Sequence, residues 1–289
     1  GEIDNTYNWI DYVKTSHQTS DGGYLIFGEI SKQSDSQDQY PIIAKIDASL
    51  NLQYYKVLDN HVTDSSLKHG AIVQGMVQVD DSSNSDYYLV AKTYRPGIND
   101  TNAIQFYKVR DDGSNLSVLQ HVDLSSIANS PTDFTTSDDN DTMGYLPGDS
   151  NTDSEFVIVT DNNELTRYNI DSSGSAQIKG TFDLNGYRNA NYMEIVSGNN
   201  YIYIVAQTDE GSGTPNIKVA QLSDNLSVLW EKTIDIAGVG YEDRLGGATS
   251  TQFGSNSTGI AITGSTRKDS SSDWNGFILL LDDTGNRIY

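Results

Sequence analysis

The chain has 289 residues, no cysteine, 40 acidic and 18 basic side chains, and a formal net charge of −22. Without cysteine there is no disulfide framework and no thiolate site for zinc or iron–sulfur. The acidic excess, with no Lys/Arg cluster, excludes electrostatic binding to nucleic acid or anionic lipid, and no apolar run reaches the roughly 20 residues that span a bilayer.

The opening Gly1-Glu2-Ile3-Asp4-Asn5 has neither Met nor a charged-then-apolar region, so a processed or cut start is expected. From there the chain reads as short strands and turns, with no convincing amphipathic helix pattern longer than two turns. The first unit, residues 1–60, places strands near 10–15, 22–29 and 42–46, then a turn at Asp47 and a further strand from Leu52. The second, 61–124, repeats this with 71–79, 87–93 and 105–110 before the turn at Asp111-Asp112-Gly113. The third, 125–184, has a weak strand near 142–145, then 155–160 and 166–170 before Asp171-Ser172-Ser173-Gly174. The fourth, 185–237, offers 192–196, 201–206 and 217–222 before Ser223-Asp224-Asn225. The fifth, 238–289, offers 246–251, 259–264 and 277–281 before Asp282-Asp283-Thr284-Gly285.

The turn starts at 47, 111, 171, 223 and 282 are spaced by 64, 60, 52 and 59 residues. Asn-Leu-Ser-Val-Leu occurs at 115–119 and again at 225–229, two units apart. An Asp or Ser heading the turn can bond the backbone N–H groups ahead of it, and Gly or Asn tolerates positive φ. The second strand of each unit is nearly continuous apolar sequence, which predicts burial on both faces. Four strands repeated five times predict an all-β fold, a β-propeller of five blades with four antiparallel strands each, in one domain over 1–289. Stacked solenoid sheets and a pair of sandwiches are the alternatives. Closure is expected from residues 3–9 pairing beside the short last strand at Arg287-Ile288-Tyr289.

The segments Thr19-Ser20-Asp21-Gly22-Gly23-Tyr24, Ala44-Lys45-Ile46-Asp47 and Leu229-Trp230-Glu231-Lys232-Thr233 resemble the degenerate repeats of bacterial secreted β-propeller proteins. The likeness is sharpest in the first, fourth and fifth units. It implies the propeller fold and an extracellular, periplasmic or cell-surface location, and no common activity. A Ser/Asn/Asp/Thr-rich, Lys-poor surface fits the same location.

Chemistry-bearing motifs are few. Asp149, Asn151, Asp153 and Glu155 stand at alternate positions and could converge hard oxygen ligands on calcium, the one cofactor the sequence offers. A solvated acidic loop is the alternative, and the run lacks the glycine and terminal glutamate of an EF-hand. Asp80–Asp86 is a weaker copy. His17, His61, His69 and His121 lack metal-ligand spacing. Gly238, Gly240, Gly246 and Gly247 flank Tyr241-Glu242-Asp243-Arg244 and read as tight turns leading into a strand. Asp11, Glu194, Glu242 and Asp243 fall near the ends of expected inner strands. A glycoside hydrolase needs such a carboxyl pair at defined separation, but these four do not recur at matching positions. Among 18 tyrosines and 3 tryptophans, Trp230 reads as inter-blade core. Trp274, in Ser271-Ser272-Asp273-Trp274-Asn275-Gly276, reads as a loop aromatic.

With no nucleophile, elbow or phosphate loop, no catalytic residue is expected. The sequence points to a monomeric, non-catalytic exported protein that binds a protein or carbohydrate through its loops. A glycan hydrolase with axial carboxylates is the alternative, and a purely structural module a third.

Overall fold

The structure, a computed structural model, describes residues 7–32, 35–58, 70–79, 85–94, 103–127, 143–146, 153–160, 163–187, 193–197, 201–209, 215–238, 240–253, 257–269 and 271–288. Nineteen strands, with one short 3-10 turn at Leu124–Ser126, make up its regular structure among these residues. They fall into five antiparallel sheets, each built from consecutive strands. The first holds β1 (Tyr7–Gln18), β2 (Tyr24–Lys32), β3 (Asp35–Ile46) and β4 (Leu52–Val57). The second holds β5 (Gly70–Val79), β6 (Ser85–Tyr94), β7 (Ala103–Asp111) and β8 (Leu116–Asp123). The third holds β9 (Met143–Leu146), β10 (Ser154–Thr160), β11 (Glu164–Ile170) and β12 (Ala176–Asp183). The fourth holds β13 (Met193–Ser197), β14 (Tyr201–Asp209), β15 (Pro215–Ser223) and β16 (Val228–Ile234). The fifth holds β17 (Glu242–Phe253), β18 (Ser257–Arg267) and β19 (Asn275–Asp282). Beyond β19, a bridge between Leu281 and Arg287 and a bond from the Ile288 N–H to the Leu280 carbonyl begin a fourth strand. Five meander sheets in chain order give the all-β, five-bladed propeller class.

Two expectations change in detail. Of the residues expected to close the ring, Tyr7 stands opposite Lys32 within the first sheet, and residues 3–6 lie outside the described residues. The strand expected at 246–251 begins earlier, at Glu242, so Glu242, Asp243 and Arg244 belong to β17 rather than to a loop. No helix among the described residues is long and apolar enough to cross a membrane.

The chain forms two compact units, Gly1–Thr136 with Thr152–Ser154 and Asn169–Ile178, and Ser137–Asn151 with Glu155–Tyr168 and Lys179–Tyr289. In the first, a core gathers Leu25 and Phe27 of β2, Leu89 of β6 and Tyr107 of β7. In the second, β14 shows how a second strand works. Ile202 and Ile204 enter one cluster with Val157 and Leu165, while Tyr203 and Val205 enter another with Leu245 and Leu279. Alternate side chains point to opposite faces, and here both faces are packed, so the sequence needs no polar alternation.

The recurring turn is built as its residues dictate. In the first copy the Asp47 carboxylate accepts the N–H groups of Ser49 and Asn51, each at 2.8 Å. Asp282 accepts those of Thr284 at 3.0 Å and Asn286 at 2.7 Å. A residue with positive φ closes each of these turns, Leu50 at 64° and Gly285 at 74°. The fourth strand of one blade then locks onto the turn of the next. The Tyr54 hydroxyl of β4 donates to Asp111 at 2.7 Å, and the Trp230 indole N–H of β16 donates to the Asp283 carbonyl at 2.9 Å. Trp230 is therefore the inter-blade packing residue expected.

Candidate functional site

The fifth sheet carries the arrangement with most chemistry. Because β17 runs antiparallel to β18, Glu242 stands opposite Arg267, Asp243 opposite Thr266 and Arg244 opposite Ser265. Alternation then divides the β17 residues, Glu242 and Arg244 going to one face and Asp243 to the other.

On the first face the Glu242 carboxylate accepts from Arg267 Nε at 2.9 Å and lies 2.8 Å from its Nη2. Both side chains are partly open to water, at 24 % and 20 % exposure. Trp274, half-buried, enters from the loop between β18 and β19. The guanidinium carbons of Arg244 and Arg267 each lie 4.4 Å from its ring centroid. An indole ring attracts a cation to its face, and guanidinium stacks there more readily than ammonium. The loop that delivers Trp274 is pinned by Asp269, whose carboxylate accepts the Ser271 N–H at 2.9 Å and the Ser271 and Ser272 hydroxyls at 2.6 Å and 3.0 Å. The Ser271 hydroxyl first, then that of Ser272, holds the Asp269 carboxyl below the usual carboxylate range.

On the opposite face Asp243 is fully buried. One carboxylate oxygen accepts the Ile236 N–H at 2.9 Å. The other faces the Thr266 hydroxyl opposite it, near enough to be drawn by it but without a well-formed hydrogen bond. Burial pushes the Asp243 carboxyl above its ordinary value, against the opposing pull of the Ile236 N–H and, after it, of the Thr266 hydroxyl.

Asp149 and Asn151 lie outside the described residues. Asp153 accepts from the Asn169 side chain at 3.1 Å, and Glu155 is fully buried in an ion pair with Arg167 of β11. Among the described residues no group of three or more metal-ligating side chains converges. In the weaker acidic copy, Asp86 is buried against Arg110 at 2.7 Å, and residues 80–84 lie outside the described residues. His61 and His69 also lie outside them. His121 stacks on Tyr107 at 4.8 Å and meets the Gln105 side chain at 2.8 Å, and burial lowers its pKa. His17 meets the edge of Tyr87 at 5.8 Å. Gly238 and Gly240 have φ of 110° and 91°, as tight turns require. Glu194 is half-buried on β13, and the side chain of Asp11 lies outside the described residues. Tyr87, Tyr88, Tyr107, Tyr168 and Tyr203 are core residues.

Arg244 and Arg267 were not singled out by sequence. The usable signal was the alternation Glu242, Arg244 entering a strand, but its meeting with Trp274 depends on register across three strands.

No protein-family model and no curated protein matches the chain. Among solved structures, similar folds include a GH43 β-1,3-galactosidase, at TM-score 0.42 and 10 % identity over 94 % of this chain and 91 % of that one. The Nup133 β-propeller domain of Vanderwaltozyma polyspora gives 0.38 and 10 % over 94 % and 81 %. The BP39L lectin of Burkholderia pseudomallei gives 0.41 and 10 % over 98 % and 81 %.

Proposed function

We propose that this is a non-catalytic, exported or cell-surface propeller that binds a glycan through the loop-bearing end of its fifth sheet. The observation that carries the reading is Trp274, a half-buried indole on a polar loop, held by Arg244 and Arg267. A rigid aromatic contributes contact area at low entropy cost, and the exposed Ser271, Asp273 and Asn275 around it suit hydroxyl-rich ligands. A propeller supplies the rigid base on which such a loop keeps its shape. The excess of acidic side chains keeps the surface hydrated and copies apart, in keeping with a monomer. On an immobilised-glycan array the wild-type protein should retain a defined subset of sugars, and Trp274→Ala should lose it with an unchanged melting midpoint. Retention of that subset by Trp274→Ala would contradict the reading.

One observation favours the hydrolase alternative. Burial raises the pKa of the Asp243 carboxyl, the direction in which a general acid is tuned. Its complete burial stands against contact with a substrate. Release of reducing sugar from a glycan panel, abolished in Asp243→Asn, would turn the assignment to an enzyme.

A further inference from the structure

We propose that the Arg244 guanidinium is an open carboxylate seat, and that the glycan class bound there carries isolated carboxylates on an otherwise neutral scaffold, as in sugars with a single uronic or other acidic residue. The inference rests on the glycan-binding reading and narrows its ligand.

It follows from an asymmetry between two similar side chains. The guanidinium carbons of Arg244 and Arg267 both lie over the Trp274 ring, 4.4 Å from its centroid. A guanidinium over an indole face can keep its N–H edge for another partner, as Arg267 does with Glu242. The edge of Arg267 is filled by Glu242, through Nε at 2.9 Å and Nη2 at 2.8 Å. The edge of Arg244, which is exposed, meets no carboxylate among the described residues. The same sheet thus shows one fork occupied and one open, and the occupied fork identifies the chemistry that fits. A planar carboxylate matches a guanidinium edge in two parallel hydrogen bonds, and contact with the indole restrains the side chain that would make them.

The surroundings decide what carries that carboxylate. Ser265 stands opposite Arg244 on β18, and Gly276 stands opposite Ser265 on β19. Gly276 leaves the backbone beside the ring uncovered, and a Cβ there would meet nothing nearer than 3.9 Å. Hydroxyls and open backbone suit a sugar ring. The chain's net charge of −22 sets the other limit. Repulsion grows with each charge on the ligand, and at physiological salt it acts over a screening length of about 8 Å. A polyanion or an acidic peptide meets that field many times over, whereas a single carboxylate meets it once.

Calorimetric titration tests this with an aldobiouronic acid against its methyl ester, sialyllactose against lactose, and a glutamate-rich peptide. At least one acidic sugar should bind while its neutral counterpart does not. Arg244→Gln should weaken that binding about tenfold or more, the loss expected for a charge-assisted pair of bonds. Arg244→Lys should recover only part, because ammonium cannot present the fork. Lys268→Gln, which removes one exposed positive charge beside the patch, should leave binding unchanged. Equal binding of acid and ester, or insensitivity to Arg244→Gln, would overturn the carboxylate seat while leaving glycan binding intact. Binding of the peptide through Arg244 in preference to the sugars would overturn the ligand class. No binding by any acidic sugar would overturn the inference, and loss of neutral-glycan binding in Trp274→Ala would then show that the broader reading survives it.

Discussion

Carboxylates in this protein divide by what faces them. The turn residues are held below the ordinary carboxylate range by hydrogen bonds, Asp47 chiefly by the Asn51 N–H, Asp171 by the Ser173 hydroxyl and Asp282 by the Thr284 hydroxyl. A group depressed in the folded state adds stability above its unfolded pKa of 3.8 and loses it as pH falls through the folded value. Asp243 has the opposite sign. Its folded pKa is raised by burial, so its charge costs stability as pH rises above 3.8. Asn at this position keeps an acceptor for the Ile236 N–H and offers an NH2 group to Thr266. Asp243→Asn should therefore melt higher than wild type at pH 7, with the gap closing toward pH 4. Melting curves across that range check it, and a lower midpoint for the variant at pH 7 would show that the charged form is stabilised by something other than these groups.

Among the elements, the lock between the fourth and fifth sheets gives a sharp comparison. A Cβ on Gly285 would come 2.8 Å from the Trp230 ring, while one on Gly174, at the equivalent turn of the third sheet, would meet nothing within 4 Å. Both have positive φ, 74° and 86°. Gly174→Ala should cost about 1–2 kcal/mol, the penalty of a side chain in the left-handed region. Gly285→Ala should cost more, because the indole must also move from its bond to Asp283. Urea denaturation of the two variants measures the difference, and equal losses would mean that Trp230 does not bear on the turn. These turns were legible in sequence because Asp, Asn and Gly act through their own backbone, within a few residues. Leu50 and Leu226 were less so, since both adopt the positive φ that glycine takes elsewhere. Leu226 is drawn there by packing at 5 % exposure, whereas Leu50 is left 71 % exposed.

At the scale of the whole molecule, five turn starts at nearly regular spacing and five apolar second strands were enough to read the blades, although in β18 only one face is buried, with Ile260 and Ile262 inside and Thr263 exposed. The candidate site was not readable in the same way. Glu242, Arg244, Arg267 and Trp274 come from two strands and a loop, and only the pairing of Glu242 with Arg267 and of Thr266 with Asn275 brings them together. Trp274 was visible as an aromatic in a polar run and Glu242 as a carboxylate near a strand end, but the two arginines that join them were not. In the acidic loop, whose spacing suggested converging ligands, Asp149 and Asn151 lie outside the described residues, while Glu155 at its end is fully buried against Arg167, a partner twelve residues away that no local pattern shows. The most direct test of the account labels the three tryptophans with 5-fluorotryptophan and follows their 19F resonances during titration with a glycan retained on the array. The Trp274 signal, assigned from Trp274→Phe, should shift to saturation while those of Trp9 and Trp230 stay in place. A saturating shift at Trp9 or Trp230 with Trp274 unmoved would contradict the central claim that the fifth sheet's loop is the binding site.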